Sequence, residues 1–176
     1  NFAYYSAKNI ARGYPFSPTR LIFENGVPGT SYTFKNVQNV VLGDDIINLG
    51  NYALEMLGKV KDVELGDKMI RLGNSVFKSM SLKNFVIPEG VVLIGNNAFT
   101  TCPILESVTF PTSIPAGDPN TMDSDIQVGM GGSVFFNTPS AKGNNPTLKV
   151  ITENQAVIDY MIKYYPNVAK NSEFID

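Results

Sequence analysis

The stretch Ile87–Pro111, IPEGVVLIGNNAFTTCPILESVTFP, decides the fold because its parts recur along the chain. Its closing motif is L-x-x-V-x-L, with apolar residues standing in at each place. The motif appears four times, at steps of 23, 22 and 23 residues, as Val37/Val40/Leu42, Val60/Val63/Leu65, Leu82/Phe85/Ile87 and Leu105/Val108/Phe110. Apolar positions in such regular register indicate an internal repeat.

Glycines recur in the same register within the segments INLGNYAL, IRLGNSVF and VLIGNNAF. They are Gly50, Gly73 and Gly95, at steps of 23 and 22 residues. We expect each glycine to permit a tight turn or a close backbone approach. An apolar column seven residues further on consists of Leu57, Met80 and Cys102. Because this column accepts Leu, Met and Cys alike, we expect Cys102 to be buried and unreactive.

The repeat length predicts how the units pack. The V-x-L pair is typical of a short strand whose alternate residues face one side. A unit of about 22 residues cannot bury its own apolar face, so neighbouring units stack and share a core. The NNAF-like segments are expected to pack inward from a helical turn or an irregular arc on the far side. The prediction is an α/β solenoid with short parallel strands.

Weaker signals flank the repeat. LIFENGV (Leu21–Val27) resembles part of the repeat, and Leu148–Tyr165 is predicted to form a last strand followed by a capping helix that Pro166 ends. The N-terminal stretch is either a cap or the join to a preceding domain. The predicted division is 1–20 as N-terminal cap or linker, 21–165 as solenoid with an insertion at about 115–129, and 166–176 as C-terminal tail.

These residues resemble the BspA-type leucine-rich repeat, whose pattern runs roughly I-P-x-x-V-x-x-I-G-x-x-A-F-x-x-C-x-x-L-x-x-V-x-L-P. Ile87–Pro111 is the stretch most similar to it. The resemblance implies a right-handed solenoid of the kind found in surface proteins of host-associated anaerobic bacteria and some protozoa. Members are often described as adhesins or binders of host proteins. The family has no catalytic motif to carry over, so none is assigned.

Composition limits the chemistry that the chain can perform. It has no histidine and one cysteine, which excludes Ser-His-Asp triads, Cys-His dyads, multi-thiolate metal sites and internal disulfides. The formal net charge of -2 argues against nucleic acid as a partner. No apolar run is long enough to span a bilayer. We therefore expect a non-enzyme without cofactors. Because the sequence opens at Asn1, we expect a mature fragment or an excised domain with neighbouring domains.

The outward positions of the strands are the first candidate binding surface. With strands about 4.8 Å apart they are expected to form continuous rows. The candidate residues are Val41, Asp62, Glu64, Asn84, Val86, Ser107 and Thr109. The alternative is that Val and Thr are there because strands favour them. Asp62 and Glu64 are the best available carboxylate pair for a glycosidase, but nothing in the pattern builds a cleft over them.

The second candidate surface is an insertion. Gly95 and Gly131 are separated by 36 residues, and the surplus lies in PAGDPNTMDSDIQVG, Pro115–Gly129. The candidate residues there are Asp118, Asp123 and Asp125. The D-x-D pair has ligand chemistry suited to calcium, but the loop lacks the glycine and glutamate of an EF-hand, which favours a solvated acidic loop. In this register the glycine-rich MGGSVFFNTP (Met130–Pro139) is a fourth copy of the structural turn, and it lacks the lysine of a phosphate-binding loop.

Two functions are compatible with these observations. The first is a non-catalytic surface or secreted module that binds a host protein, a matrix component or a glycan through the strand face or the inserted loop. The second is a structural spacer or docking domain of a larger surface protein, without an external ligand.

Overall fold

The described part of the protein is a stack of coils, and the strands in it pair in parallel. The computed structural model describes residues 2–5, 20–23, 37–43, 46–117, 128–143 and 146–175. The strands are β1 (Phe2–Tyr5), β2 (Arg20–Phe23), β3 (Asn39–Leu42), β4 (Asn48–Leu49), β5 (Asp62–Glu64), β6 (Arg71–Leu72), β7 (Asn84–Val86), β8 (Leu93–Ile94), β9 (Ser107–Thr109), β10 (Gly129–Met130), β11 (Lys149–Thr152) and β12 (Glu173–Phe174). The helices are α1 (Gln155–Tyr164) and α2 (Pro166–Ala169), and Pro139–Ala141 forms one 3₁₀ turn.

The strands form three sheets, with the orders β1-β2-β3-β5, β7-β9-β11-β12 and β4-β6-β8-β10. The first two contain the predicted V-x-L strands, and their register is the predicted one, since Val40 lies opposite Val63 and Phe85 opposite Val108. The third sheet contains the two-residue strands before each glycine, which the sequence analysis did not predict. We number the coils 1 to 4 by their strands β3, β5, β7 and β9.

After the third sheet each coil continues in an arc of turns, at residues 51–56, 74–79, 96–101 and 132–137. Each arc holds two non-glycine residues in the left-handed region, with φ between 52° and 63°. Alternate N–H groups bond to the next coil, as from Phe77 to the Ala98 carbonyl (3.0 Å) and from Phe99 to the Val134 carbonyl (2.9 Å). These bonds hold a backbone conformation that is otherwise costly. Of the two arcs that the sequence allowed, the irregular one is therefore present.

The core contains a column of aromatic rings. Phe99 stacks on Phe77 at a centroid distance of 5.2 Å and on Phe135 at 5.8 Å, and Phe85 meets Phe77 at 4.8 Å. All four side chains are at most 2% exposed. Phe135 occupies the position of Phe99 one coil further on, which confirms that Met130–Pro139 is a fourth copy of the turn.

Phe99→Asp is expected to unfold the protein because it places an unpaired charge in this column. The cost exceeds the about 3–5 kcal/mol typical of Phe→Ala at a buried position. Thermal unfolding followed by circular dichroism measures it. Phe136→Asp is the matched control, since the Phe136 side chain is 56% exposed. A cooperative transition in Phe99→Asp equal to that of the control would show that the register is wrong.

The glycine column brings successive backbones into contact. A Cβ on Gly73 would lie 2.5 Å from the carbonyl carbon of Gly50, and one on Gly95 would lie 2.5 Å from the Asn74 nitrogen. Gly131 meets Asn96 and Gly95 in the same way. The sequence is compatible with a tight turn or a close approach at these glycines, and the close approach between coils is what they permit.

Gly95→Ala is expected to destabilise the fold by about 1–3 kcal/mol or more, because its methyl group would collide with backbone atoms of coil 2. Gly50→Ala is the matched control, since nothing lies within 4 Å of the added atom there. Chemical denaturation of both variants gives the two free energies of unfolding. Equal losses at the two positions would contradict the close-packed column.

An asparagine follows the glycine in coils 1 to 3 and bonds each coil to the next. Asn51 Oδ1 accepts the N–H of Asn74 at 2.8 Å, and Asn74 Oδ1 accepts the N–H of Asn96 at 2.8 Å. Asn96 Oδ1 accepts the N–H of Gly132. The ladder ends in coil 4, where glycine replaces asparagine. The sequence carries this signal as the repeated GN pair, whose role the sequence analysis missed.

Helix α1 packs against the arc of coil 4. Its N-cap, Asn154, accepts hydrogen bonds from the N–H groups of Ala156 and Val157. The Tyr160 hydroxyl donates to the Gly131 carbonyl at 2.7 Å, and the Tyr165 hydroxyl accepts the N–H of Phe135 at 3.0 Å. Burial raises the pKa of the Tyr160 phenol, which keeps its donating proton in place.

The ends of the chain add strands to the sheets. The helix α1 ends at Tyr164, before Pro166, as predicted. The segment 166–176, assigned as a tail, forms α2 and strand β12, which pairs with β11. Strand β1 lies in the segment assigned as a cap or linker and pairs with β2.

Candidate binding face

The strand face consists of the outward side chains of β3, β5, β7, β9 and β11. The predicted rows are present within neighbouring strand pairs: Val41 lies opposite Glu64, and Val86 lies opposite Thr109. Val86 is 66% exposed, and Glu64 is also exposed. Val41 and Thr109 are half-buried. These side chains therefore lie on one face, with Val86 as its most exposed apolar member.

A polar row runs beside the first one. Asn39 Nδ2 donates to Asp62 Oδ2 at 3.0 Å, which links coils 1 and 2. Ser107 Oγ donates to Asn84 Oδ1 at 2.8 Å, which links coils 3 and 4. Each bond fixes the orientation of a side chain that was chosen as a candidate from the sequence. The polar candidates are thus held in position before any ligand arrives.

The rows are interrupted between coils 2 and 3. In the part of the chain that the structure describes, β5 and β7 are not paired, so one sheet ends at β5 and another begins at β7. Val63 of β5 is only half-buried, whereas Phe85 of β7 is buried. The expectation of continuous rows is wrong at this point. The interruption divides the predicted site residues into two groups. Val41, Asp62 and Glu64 lie on one side of it, and Asn84, Val86, Ser107 and Thr109 lie on the other.

We attribute the interruption to a turn that is one residue short. Two residues separate the buried Leu57 from Val60 in coil 2, and two separate Cys102 from Leu105 in coil 4. Only Ser81 separates Met80 from Leu82 in coil 3, and its hydroxyl donates to the Gly58 carbonyl at 2.5 Å. The missing residue at this turn is the reason why one spacing in each repeated column is 22 residues instead of 23. The sequence therefore contained the signal, as an irregularity in the repeat.

A cleft of about 360 Å³ lies at the short turn. Its lining residues come from the turns and strand starts of successive coils, and they are Lys61, Asp62, Ser81, Lys83, Asn84 and Ile104. Glu64 does not line the cleft, so the cleft does not hold the Asp62/Glu64 carboxylate pair. Asp62 and Asn84 are the two predicted site residues that it brings together across the interruption.

The cleft carries two cationic side chains. Lys83 Nζ lies 3.3 Å from Glu106 Oε1, but both side chains are more than half exposed. Such an exposed ion pair is weak and is easily exchanged for a ligand. Lys61 is exposed on the opposite side of the interruption. The cleft therefore combines positive charge with hydrogen-bonding groups and one partly exposed apolar side chain, Ile104.

The inserted-loop candidates Asp118, Asp123 and Asp125 lie outside the described residues. The two ends of the insertion are described, and they meet backbone to backbone. Gly117 lies directly against the Val128 carbonyl, and Gly129 has a φ of 95°. The insertion thus leaves and rejoins the coil at one point, and β10 resumes the register opposite β8.

The described residues contain no group of three His, Cys, Asp or Glu side chains placed to hold a metal ion. Within the same ranges no helix combines the length and the apolar character needed to cross a bilayer.

Cys102 is fully buried, as predicted from its column, and its Sγ donates to the Phe77 carbonyl at 3.2 Å. Burial raises the pKa of the thiol to about 12.

Because the thiolate is the reactive form of Cys102, the folded protein is expected to resist a thiol reagent such as Ellman's reagent throughout pH 7–9. Absorbance at 412 nm measures the labelling, and urea-unfolded protein is the control. Rapid labelling of folded protein would contradict this buried environment.

The family model for the BspA type leucine rich repeat region matches residues 28–121, in six copies. A leucine-rich repeat protein from Bacteroides ovatus has a similar structure, with a TM-score of 0.55 and 19% identity, over 75% of this chain and 30% of that one. The pneumococcal vaccine antigen PcpA is also similar, with a TM-score of 0.57 and 16% identity, over 98% of this chain and 41% of that one. The chain thus spans less than half the length of either protein. No curated protein sequence matches it.

Proposed function

We propose that this chain, which belongs to the BspA-type leucine-rich repeat family, is a non-catalytic module of a cell-surface or secreted protein. In this proposal it binds a host protein, a matrix component or a glycan through its strand face. The similarity to a pneumococcal antigen is a likeness of fold. The family supplies the expectation of a surface module.

The observation that carries the proposal is the cleft in the strand face. A repeat that served only as a spacer needs regular coils, whereas this face is interrupted at one position. The interruption is lined by charged and amide side chains, and two of these are fixed by the bonds from Asn39 and Ser107. Polar groups that converge on a concavity are typical of binding sites.

A spacer or docking domain is the second candidate, and an apolar groove favours it. The groove measures about 310 Å³ and is lined by Ile162, Pro166, Ala169, Lys170 and Phe174. It lies beside β12, the outermost strand of its sheet, and the neighbouring Ile175 is 55% exposed. A neighbouring domain that packs here would cover this apolar surface.

Two finer features of the fold belong to the same proposal. The coils are proposed to wind in the right-handed sense that the resemblance implies. The helix α1 is proposed to cap the solenoid, because Tyr160 and Tyr165 bond to backbone groups of coil 4 that a further coil would otherwise engage.

Binding of the isolated chain to immobilised matrix proteins and to a glycan array tests the proposed function. The strand-face variant Val86→Glu is expected to weaken binding about tenfold or more, because it alters the most exposed apolar position of that face. Phe136→Asp is the control on the arc side.

Glu64→Ala is expected to keep the free energy of unfolding within about 0.5 kcal/mol, as is usual for an exposed position.

Absence of binding to every matrix protein at about 100 μM and to every glycan at about 10 mM would overturn the binding function for this chain and favour the spacer. Loss of binding in the arc variant, with Val86→Glu unaffected, would place the binding surface away from the strand face.

A further inference from the structure

We propose that the cleft between coils 2 and 3 binds a sugar that carries a carboxylate, as in the uronic or sialic acid units of an acidic glycan. This inference rests on the proposed function and adds the site and the class of ligand. It follows from the charge, the hydrogen-bonding groups and the size of the cleft.

The two lysines of the cleft favour an anionic group on the ligand. Lys61 and Lys83 occupy equivalent positions on neighbouring coils, each one residue before its strand. Lys83 has an exposed partner, Glu106, which a ligand carboxylate can replace at little cost because exposed ion pairs are weak. The two ammonium groups that line the cleft provide charge-assisted hydrogen bonds for a carboxylate.

The remaining polar groups select an anion that also carries hydroxyl groups. Asp62 Oδ2 accepts from Asn39, so Oδ1 remains as an acceptor for a ligand hydroxyl. Asn84 Oδ1 accepts from Ser107, so the Nδ2 group remains as a donor. The Asp62 carboxylate repels any anionic group placed against it but accepts hydrogen bonds from hydroxyl groups, so it favours a ligand whose hydroxyl groups face Asp62 and whose charge faces the lysines. The Asp62 acceptor, the Asn84 donor and the two lysines together match a sugar acid better than they match phosphate.

The size and shape of the cleft favour a sugar over an acidic peptide. Its volume of about 360 Å³ is at the lower end of ligand pockets, which suits one sugar ring with its substituents. Ile104, 47% exposed, offers an apolar surface for the C–H face of the ring. A peptide that paired with the open sheet edges at β5 or β7 would extend along those strands, whereas the cleft is confined to their first residues and the short turn. The open surface implies weak binding, with a Kd of about 1 mM.

Titration of the ¹⁵N-labelled chain with 3′-sialyllactose and with a hyaluronan tetrasaccharide tests the inference. Lactose and the carboxyl-reduced tetrasaccharide are the neutral counterparts. Amide shifts are expected at residues 61–62 and 81–84, with an affinity for the acidic sugars about tenfold above that for the neutral ones. The double variant Lys61→Gln/Lys83→Gln is expected to lose this preference. Lys149→Gln is the control, because Lys149 is also an exposed lysine of the strand face, in an ion pair with Glu173.

Each other outcome overturns the inference. No shift at the cleft with either acidic sugar at about 10 mM excludes the ligand class. Equal shifts with sodium phosphate show a site for anions in general, and stronger shifts with hexaglutamate show a site for acidic peptides. Equal affinities in the double variant and in Lys149→Gln exclude a role for the two lysines.

The two proposals can fail separately. Matrix or glycan binding that depends on Val86 but is unchanged in Lys61→Gln/Lys83→Gln overturns only the acidic-sugar inference. Absence of any retained matrix protein or array glycan, together with no shift for the acidic sugars at about 10 mM, overturns the wider binding function as well.

Discussion

The contact between successive backbones at the glycine column determines the geometry of the whole stack. Gly73 and Gly95 each lie so close to the backbone of the preceding coil that a side chain at either position would collide with it. This contact holds the coils at the separation that the strand ladders, the arc hydrogen bonds and the asparagine ladder all require. It also places Phe77 and Phe99 within stacking distance. The core is therefore a consequence of the coil spacing as much as a cause of it.

The buried part of the fold could be predicted from the sequence because stacking forces every coil to repeat it. Val40, Phe99 and Cys102 occupy columns that tolerate only apolar side chains, so their spacing is visible without a structure. The asparagine ladder left an equally regular signal in the GN pairs. The third sheet left a weaker one, because its strands have two residues each and show too little alternation to be recognised.

The binding face was predicted less well, for a physical reason. Outward residues make few contacts that select one residue type, so Val41 and Glu64 can lie opposite each other without a pattern. Continuous rows are expected when the strands are equally spaced. The turn at Ser81 is one residue short, so β5 and β7 are not paired in the described part of the chain. The effect of the short turn on strand pairing depends on how it packs against Gly58. Counting detects the omission, but only the three-dimensional arrangement shows the cleft.

The regular coils and the proposed binding cleft of this molecule have opposite structural requirements, and they lie in different parts of the repeat. Identical coils pack best, and they produce a uniform outer surface without concavities. A recess that gathers polar groups requires a departure from the repeat, and the departure must leave the buried columns intact. The turn at Ser81 provides the departure and keeps Met80 and Leu82 on either side of it fully buried, at the cost of a half-buried Val63. In a solenoid of this kind, the irregular steps between otherwise regular columns are therefore where binding sites should be sought.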